Sequence, residues 1–173
     1  ALLYVPDKPE GRLPAGLALT GHEAPGNTMG SEQIRCINQA KRGIIVLSAE
    51  FFGMGQLGRD TYLHYCANQL DLCGTSAVSP FYLSMKRSLD VLLSLPNADP
   101  ERVAVSGLSG GGWQTIFISG LDERATLANP VAGYSSLLTR ARNPSDLGDT
   151  EQVPCDMGTV LDYKHLTAMR APH

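Results

Sequence analysis

Residues 102–113 read R-V-A-V-S-G-L-S-G-G-G-W, and their order decides the fold. Residues 102–106 are a short β-branched apolar run, which predicts a buried strand. Residues 111–121 predict a helix. Between them lies Gly107-Leu108-Ser109-Gly110-Gly111, a G-x-S-x-G pentapeptide at a strand-to-helix junction. At so sharp a turn the serine takes a strained backbone conformation. Side chains two residues to either side would collide, so glycine is required there. Ser109 is therefore the candidate nucleophile, and the Gly110 N–H points where an oxyanion would form. The N-terminus of the following helix favours the same negative charge. A glycine-rich turn without chemistry has the same composition, but the flanking strand and helix favour catalysis. Phosphate-binding readings of this stretch fail on residues: within 102–113 no Lys-[Ser/Thr] closes a P-loop, and there is no G-x-G-x-x-G.

Outward from this turn, short apolar runs bounded by Gly and Pro alternate with amphipathic stretches, which predicts βα units and a parallel sheet. Strands are expected at 1–5, 16–20, 43–49, 102–106 and 126–131. Residues 43–49 (GIIVLSA) form the strongest of them, continuous and β-branched as in a strand covered on both faces. Helices are expected at 31–41, with Ile34 and Ile37 at helical spacing, at 80–95, at 111–121 and at 159–170. Residues 59–79 read as loop with at most one helix.

A second candidate feature follows the second strand: Thr20-Gly21-His22-Glu23. A loop after an early strand supplies the other oxyanion N–H in folds with this serine turn. His22 or Glu23 stands at that topological place, and the backbone is the favoured contributor. A purely structural His22 is one alternative, and His22 as base is another. Chain order disfavours the base role, since the triad histidine follows the serine in such folds.

Composition bounds the rest. The chain has 173 residues, enough for one domain, taken here as residues 1–173. Its net charge of −3 disfavours a nucleic-acid binder that relies on a basic face. Eighteen glycines and 11 prolines fit many turns between short elements and argue against a helical bundle. No apolar run reaches the ~18 residues of a membrane span, and the N-terminus lacks the pattern of an intact signal peptide. The compartment stays open. Cys36, Cys66, Cys73 and Cys155 form no C-x-x-C and have no zinc-like spacing to a histidine. Free, mostly buried thiols are favoured, with a local Cys66–Cys73 disulfide as the alternative. Trp113 is expected to pack around the serine helix or to wall the pocket. Phe51 and Phe52, just after the strongest strand, are candidates for an acyl or alcohol pocket. Arg59, Arg140 and Arg142 are expected at the surface.

The stretches GLALTGHEAPGN, GIIVLSAEFFGMGQLGR, DPERVAVSGLSGGGWQT and LDYKHLTAMRAP together resemble the α/β-hydrolase superfamily. Within it they resemble the serine esterases related to acetyl xylan esterases and dienelactone hydrolases. The resemblance implies a three-layer α/β fold, a mostly parallel sheet with helices on both faces. It implies hydrolysis of a small or carbohydrate-linked acyl ester through an acyl-enzyme on Ser109, with no metal or organic cofactor. The expected partner is a small-molecule ester, with neither nucleic acid nor membrane. The superfamily's order of serine, acid and histidine needs at least two strands beyond 126–131. The C-terminal strands are therefore expected to be missing, with the acid and base beyond residue 173. Within the chain, His165 and His173 follow the serine, as do Asp122, Glu123, Asp146, Asp149, Glu151, Asp156 and Asp162. Asp162 and His165 share a helical face and form the most compact internal alternative. A second reading is a weakly active or non-catalytic module whose open sheet edge is completed by a second copy or another chain.

Overall fold

The structure, a computed structural model, describes residues 1–58, 64–133, 135–144, 151 and 155–171, without the side chains of Cys66, Asn68 and Cys155. Five strands form one sheet: β1 (Leu2–Tyr4), β2 (Leu13–Leu19), β3 (Ile45–Ala49), β4 (Ala98–Leu108) and β5 (Leu127–Val131). Their order is β1-β3-β2-β4-β5. β2, β3, β4 and β5 run parallel, and β1 joins β3 antiparallel. Among the described residues the α-helices are α1 (Gly30–Ala40), α2 (Val78–Leu93), α3 (Gly110–Leu121), α4 (Leu137–Arg142) and α5 (Tyr163–Ala168).

Alternation along the central strands splits the interior into two layers of side chains. Leu17 and Leu19 of β2, with Ile45 and Leu47 of β3, face a large core shared with α2, α3 and α5. Ala18 and Val46 point the other way, onto Cys36 of α1. The result is the three-layer arrangement, with helices on both faces. Phe81, Met85, Leu89 and Leu92 recur at three- and four-residue intervals and form the buried face of α2. α3 is buried from Gly110 through Ser119, so it is the central helix of its layer.

Several boundaries differ from the sequence reading. β2 starts at Leu13, because its pairing with β4 continues across a register shift between Pro14 and Ala15. α1 lies where expected but presents a different face: Ile34 and Ile37 are exposed, while Glu32 and Cys36 are buried. The small side chains of Ala18 and Val46 let the helix approach on Cys36, which turns the isoleucines outward. Residues 64–73 form a 3-10 segment, and 155–159 another, so the last helix is shorter than expected. α4 lies in a stretch where the sequence pattern predicts no element. Cys36 and Cys73 are free thiols, which removes the Cys66–Cys73 disulfide. Burial pushes the Cys36 thiol up from its ordinary value, as for an inert core cysteine.

Candidate active site

Ser109 is the one residue between β4 and α3, with φ 57° and ψ −120°. A side chain rarely adopts this conformation without compensation, and here the compensation is visible. The Ser109 N–H donates to Val131 O at 2.8 Å, which ties the turn to the end of β5. The Trp113 N–H donates to Ser109 O at 3.0 Å and starts the helix.

The glycines around the serine each meet a different wall. A methyl on Gly107 would lie 2.5 Å from Gly111 O and from Leu19 O. One on Gly111 would lie 2.2 Å from Leu19 O, and one on Gly112 would lie 2.4 Å from Val131 O. On Gly110 it would meet the Phe51 and His22 rings at 2.8 and 2.9 Å. Both β2 and β5 therefore end directly against the first turn of α3.

The loop after β2 is held against this turn. Thr20 Oγ1 donates to Ala49 O at 3.3 Å and accepts from the Phe51 N–H at 3.0 Å. Gln114 Nε2, one turn into α3, donates to Thr20 O at 2.8 Å. A methyl on Gly21 would lie 2.7 Å from Leu108 O, so the chain passes tightly beside the serine turn and delivers His22 next to Gly110. Glu23 is exposed, and its carbonyl accepts from the Gly26 N–H at 2.7 Å.

Ser109 and Gly110 open on a cavity of about 290 Å³, also lined by His22, Tyr65, Arg140 and Glu151. Trp113 and Tyr163 complete its wall. His22 Nε2 lies 3.1 Å from His64 Nε2 and 3.3 Å from Glu151 Oε2. Behind it, His64 stacks on Phe81 with ring centres 5.1 Å apart, and its Nδ1 lies 2.9 Å from Phe52 O. The Tyr163 hydroxyl donates to Glu151 O. Burial pushes the Tyr163 phenol up to about 12, so it stays a neutral donor at physiological pH.

Some expected site residues take other places. Phe51 is wholly buried behind Gly110 and is no pocket wall; it packs edge-on against Phe81 at 5.1 Å. Phe52 is half-buried and also packs on Phe81, away from the cavity. Trp113 does both things asked of it: it packs on Phe117 at 4.2 Å and lines the cavity. Arg140 lines the cavity and is not a plain surface residue, whereas Arg142 is exposed. Asp162 and His165 form a helix cap: the Asp162 N–H donates to His165 Nδ1 at 2.8 Å, and Asp162 Oδ1 accepts from the Tyr163 N–H at 2.7 Å. Neither lines the serine cavity, so this pair is not an internal acid and base for Ser109. Arg59, Asp146, Asp149 and His173 lie outside the described residues. His64, Tyr65 and Tyr163 had no sequence signal of a site role, and Glu151 stood among seven acids with nothing to single it out.

Comparison with known proteins agrees with this geometry. The family model for acetyl xylan esterase (AXE1) matches residues 1–156. An acetyl esterase of Xylanibacter ruminicola is 31% identical over 117 residues, covering 61% of this chain and 26% of the relative. A Bacteroides fragilis protein proposed to be an acetyl xylan esterase superposes with a TM-score of 0.80 at 18% identity, covering 99% of this chain and 53% of that one. An acetyl xylan esterase from Paenibacillus sp. R4 superposes with a TM-score of 0.57 at 22% identity, over 84% of this chain and 46% of that one. The two superpositions speak for the α/β-hydrolase fold, and the chain spans about half, or less, of the length of these relatives. With a family model matched over nearly all of its length, an α/β-hydrolase sheet and a serine at the strained turn between β4 and α3, the chain belongs to the acetyl xylan esterase family.

Proposed function

We propose that the chain carries the nucleophile and oxyanion site of a carboxylic-ester hydrolase acting on small or carbohydrate-linked acyl esters. The observation that carries this reading is Ser109 at φ 57°, at the carboxyl end of the interior strand β4 and open to a cavity of about 290 Å³. A non-glycine residue in that conformation, pinned on both sides by backbone hydrogen bonds, is a strained position kept for a purpose. In this reading Ser109 Oγ attacks the ester carbonyl carbon. The carbonyl oxygen becomes an oxyanion, met by the Gly110 N–H at the start of α3 and by the backbone of the loop carrying His22 and Glu23. Collapse expels the alcohol and leaves an acyl group on Ser109, which water then removes. The cavity is small and Tyr65 and Arg140 line it, which suits a short acyl group on a polar alcohol. The acetyl esterase named among the relatives supports the same substrate class.

The test is turnover of p-nitrophenyl acetate, with covalent labelling by a fluorophosphonate probe. Ser109→Ala is expected to abolish labelling and the serine-dependent part of the turnover. Activity that survives Ser109→Ala would sink the reading.

A second reading rests on β5. It is an edge strand, and Leu127 and Val131 on it are exposed. Here the chain is a weakly active or non-catalytic module that pairs this edge with a second copy or another chain.

A further inference from the structure

Three side chains able to ligate a metal meet beside the serine cavity: His22 and Glu151 line it, and His64 lies behind them. His22 comes from the loop after β2, His64 from the 3-10 segment before α2, and Glu151 from the chain after α4. His64 is 1% and Glu151 2% exposed, while His22 opens on the cavity. One ligand atom from each lies within 4.8 Å of those of the other two.

The proton positions can be argued from the partners. Phe52 O only accepts, so His64 Nδ1, 2.9 Å away, carries the hydrogen. A neutral His64 then turns its Nε2 lone pair toward His22 Nε2, 3.1 Å away. An imidazole held by a backbone carbonyl through one nitrogen, with the other left as a lone pair, is the usual outer support of a metal-bound histidine. If His22 carries its hydrogen on Nδ1 instead of Nε2, its Nε2, the His64 Nε2 and a Glu151 oxygen can be offered to a cation at one point between them.

Spacing fits a cation at that point. Zinc bound tetrahedrally at roughly 2.0–2.2 Å holds its ligand atoms about 3.3–3.6 Å apart, a few tenths of an ångström from what is seen here. The observed separations are 3.1 Å between the imidazoles and 3.3 Å from His22 to Glu151. Two imidazoles and one carboxylate suit zinc-class ions, while magnesium and calcium prefer oxygen ligands. His22 and Glu151 also line the adjoining cavity, from which a water could reach such a cation.

We propose that His22, His64 and Glu151 form a three-ligand site for a zinc-class divalent cation beside Ser109. The site does not depend on Ser109 being a nucleophile. Titration of the full chain with Co2+ tests it, read as the visible absorption of tetrahedral cobalt, with competition by Zn2+. A single equivalent of Co2+ is expected to bind with that spectrum and to be displaced by Zn2+. Ser109→Ala keeps the spectrum, which separates failure of this proposal from failure of the esterase reading. Glu151→Gln, nearly isosteric, is expected to weaken binding by more than the roughly 10–100-fold that outer-shell changes cost. His64→Gln does the same, and His165→Ala, at an exposed helix cap, leaves it unchanged. Absence of the cobalt spectrum in the parent chain overturns the proposal and leaves the three side chains as a hydrogen-bonded trio. So does a spectrum that survives both Glu151→Gln and His64→Gln, or one that disappears with Cys73→Ser.

Discussion

The close packing around the serine turn is largely backbone against backbone. Gly111 faces Leu19 O, and a methyl built there would lie 2.2 Å from it. Leu19 ends β2 and Gly111 stands in the first turn of α3, so neither backbone can yield cheaply. Gly111→Ala would gain up to about 1 kcal/mol of helix propensity. The overlap costs more, about 3 kcal/mol, at the upper end of overpacking penalties. The expected outcome is a clear fall in stability by chemical denaturation. Gly30→Ala is the control: it opens α1, a methyl built on it meets nothing within 4 Å, and the variant should stay within about 1 kcal/mol of the parent. At this scale the sequence was highly legible. The steric demand that puts glycine at 107 and 111 acts within five residues, so a pentapeptide reveals it. Gly112 was less legible, because its neighbour is Val131 O across the sheet. Phe51 was misplaced for the same reason: its position after a strand says nothing about which ring will cover it.

Between elements, one arginine braces the layer of helices. Arg124 donates through Nε and Nη2 to Asp122, at the C-terminal end of α3, at 2.8 and 2.6 Å. Its Nη1 donates to Asp90 on α2 at 2.7 Å. An acid at a helix C-terminus is disfavoured by the helix dipole, so Asp122 depends on this partner. The guanidinium hydrogen bonds hold the Asp122 carboxyl below its ordinary value of 3.8. A carboxyl depressed in the folded state stabilises the fold above the unfolded value and loses that contribution as pH falls through the folded one. Arg124→Ala is therefore expected to cost about 1 kcal/mol at pH 7, a figure reduced for the one-third exposure of Arg124. The difference from the parent should shrink as pH falls below about 4, measured by thermal melts across that range. Elements themselves were legible by period, as Phe81, Met85 and Leu89 on α2 illustrate. The face of α1 was not, because Ile34 and Ile37 have helical spacing but Cys36 has the small partners that allow contact.

Across the whole molecule the sheet is asymmetric. β2 and β3 are covered on both faces, whereas Leu127 and Val131 of the edge strand β5 face solvent. Pro130 removes one donor from that edge, which blunts but does not close it. If β5 pairs with another chain, light-scattering mass should rise with concentration. A monomer at every concentration with full ester turnover would rule that reading out. The site is likewise a whole-molecule product: His22 and His64 meet at 3.1 Å although 42 residues separate them, and Glu151 joins them from beyond β5. By itself the sequence determined the alternation of strands and helices and the serine turn, because periodicity and local sterics act over a few residues. Only the tertiary structure decided what surrounds Ser109, turning Arg140 and Glu151 into cavity walls and His165 into a helix cap. Those outcomes depend on which segments the sheet order brings together, and no local pattern encodes that.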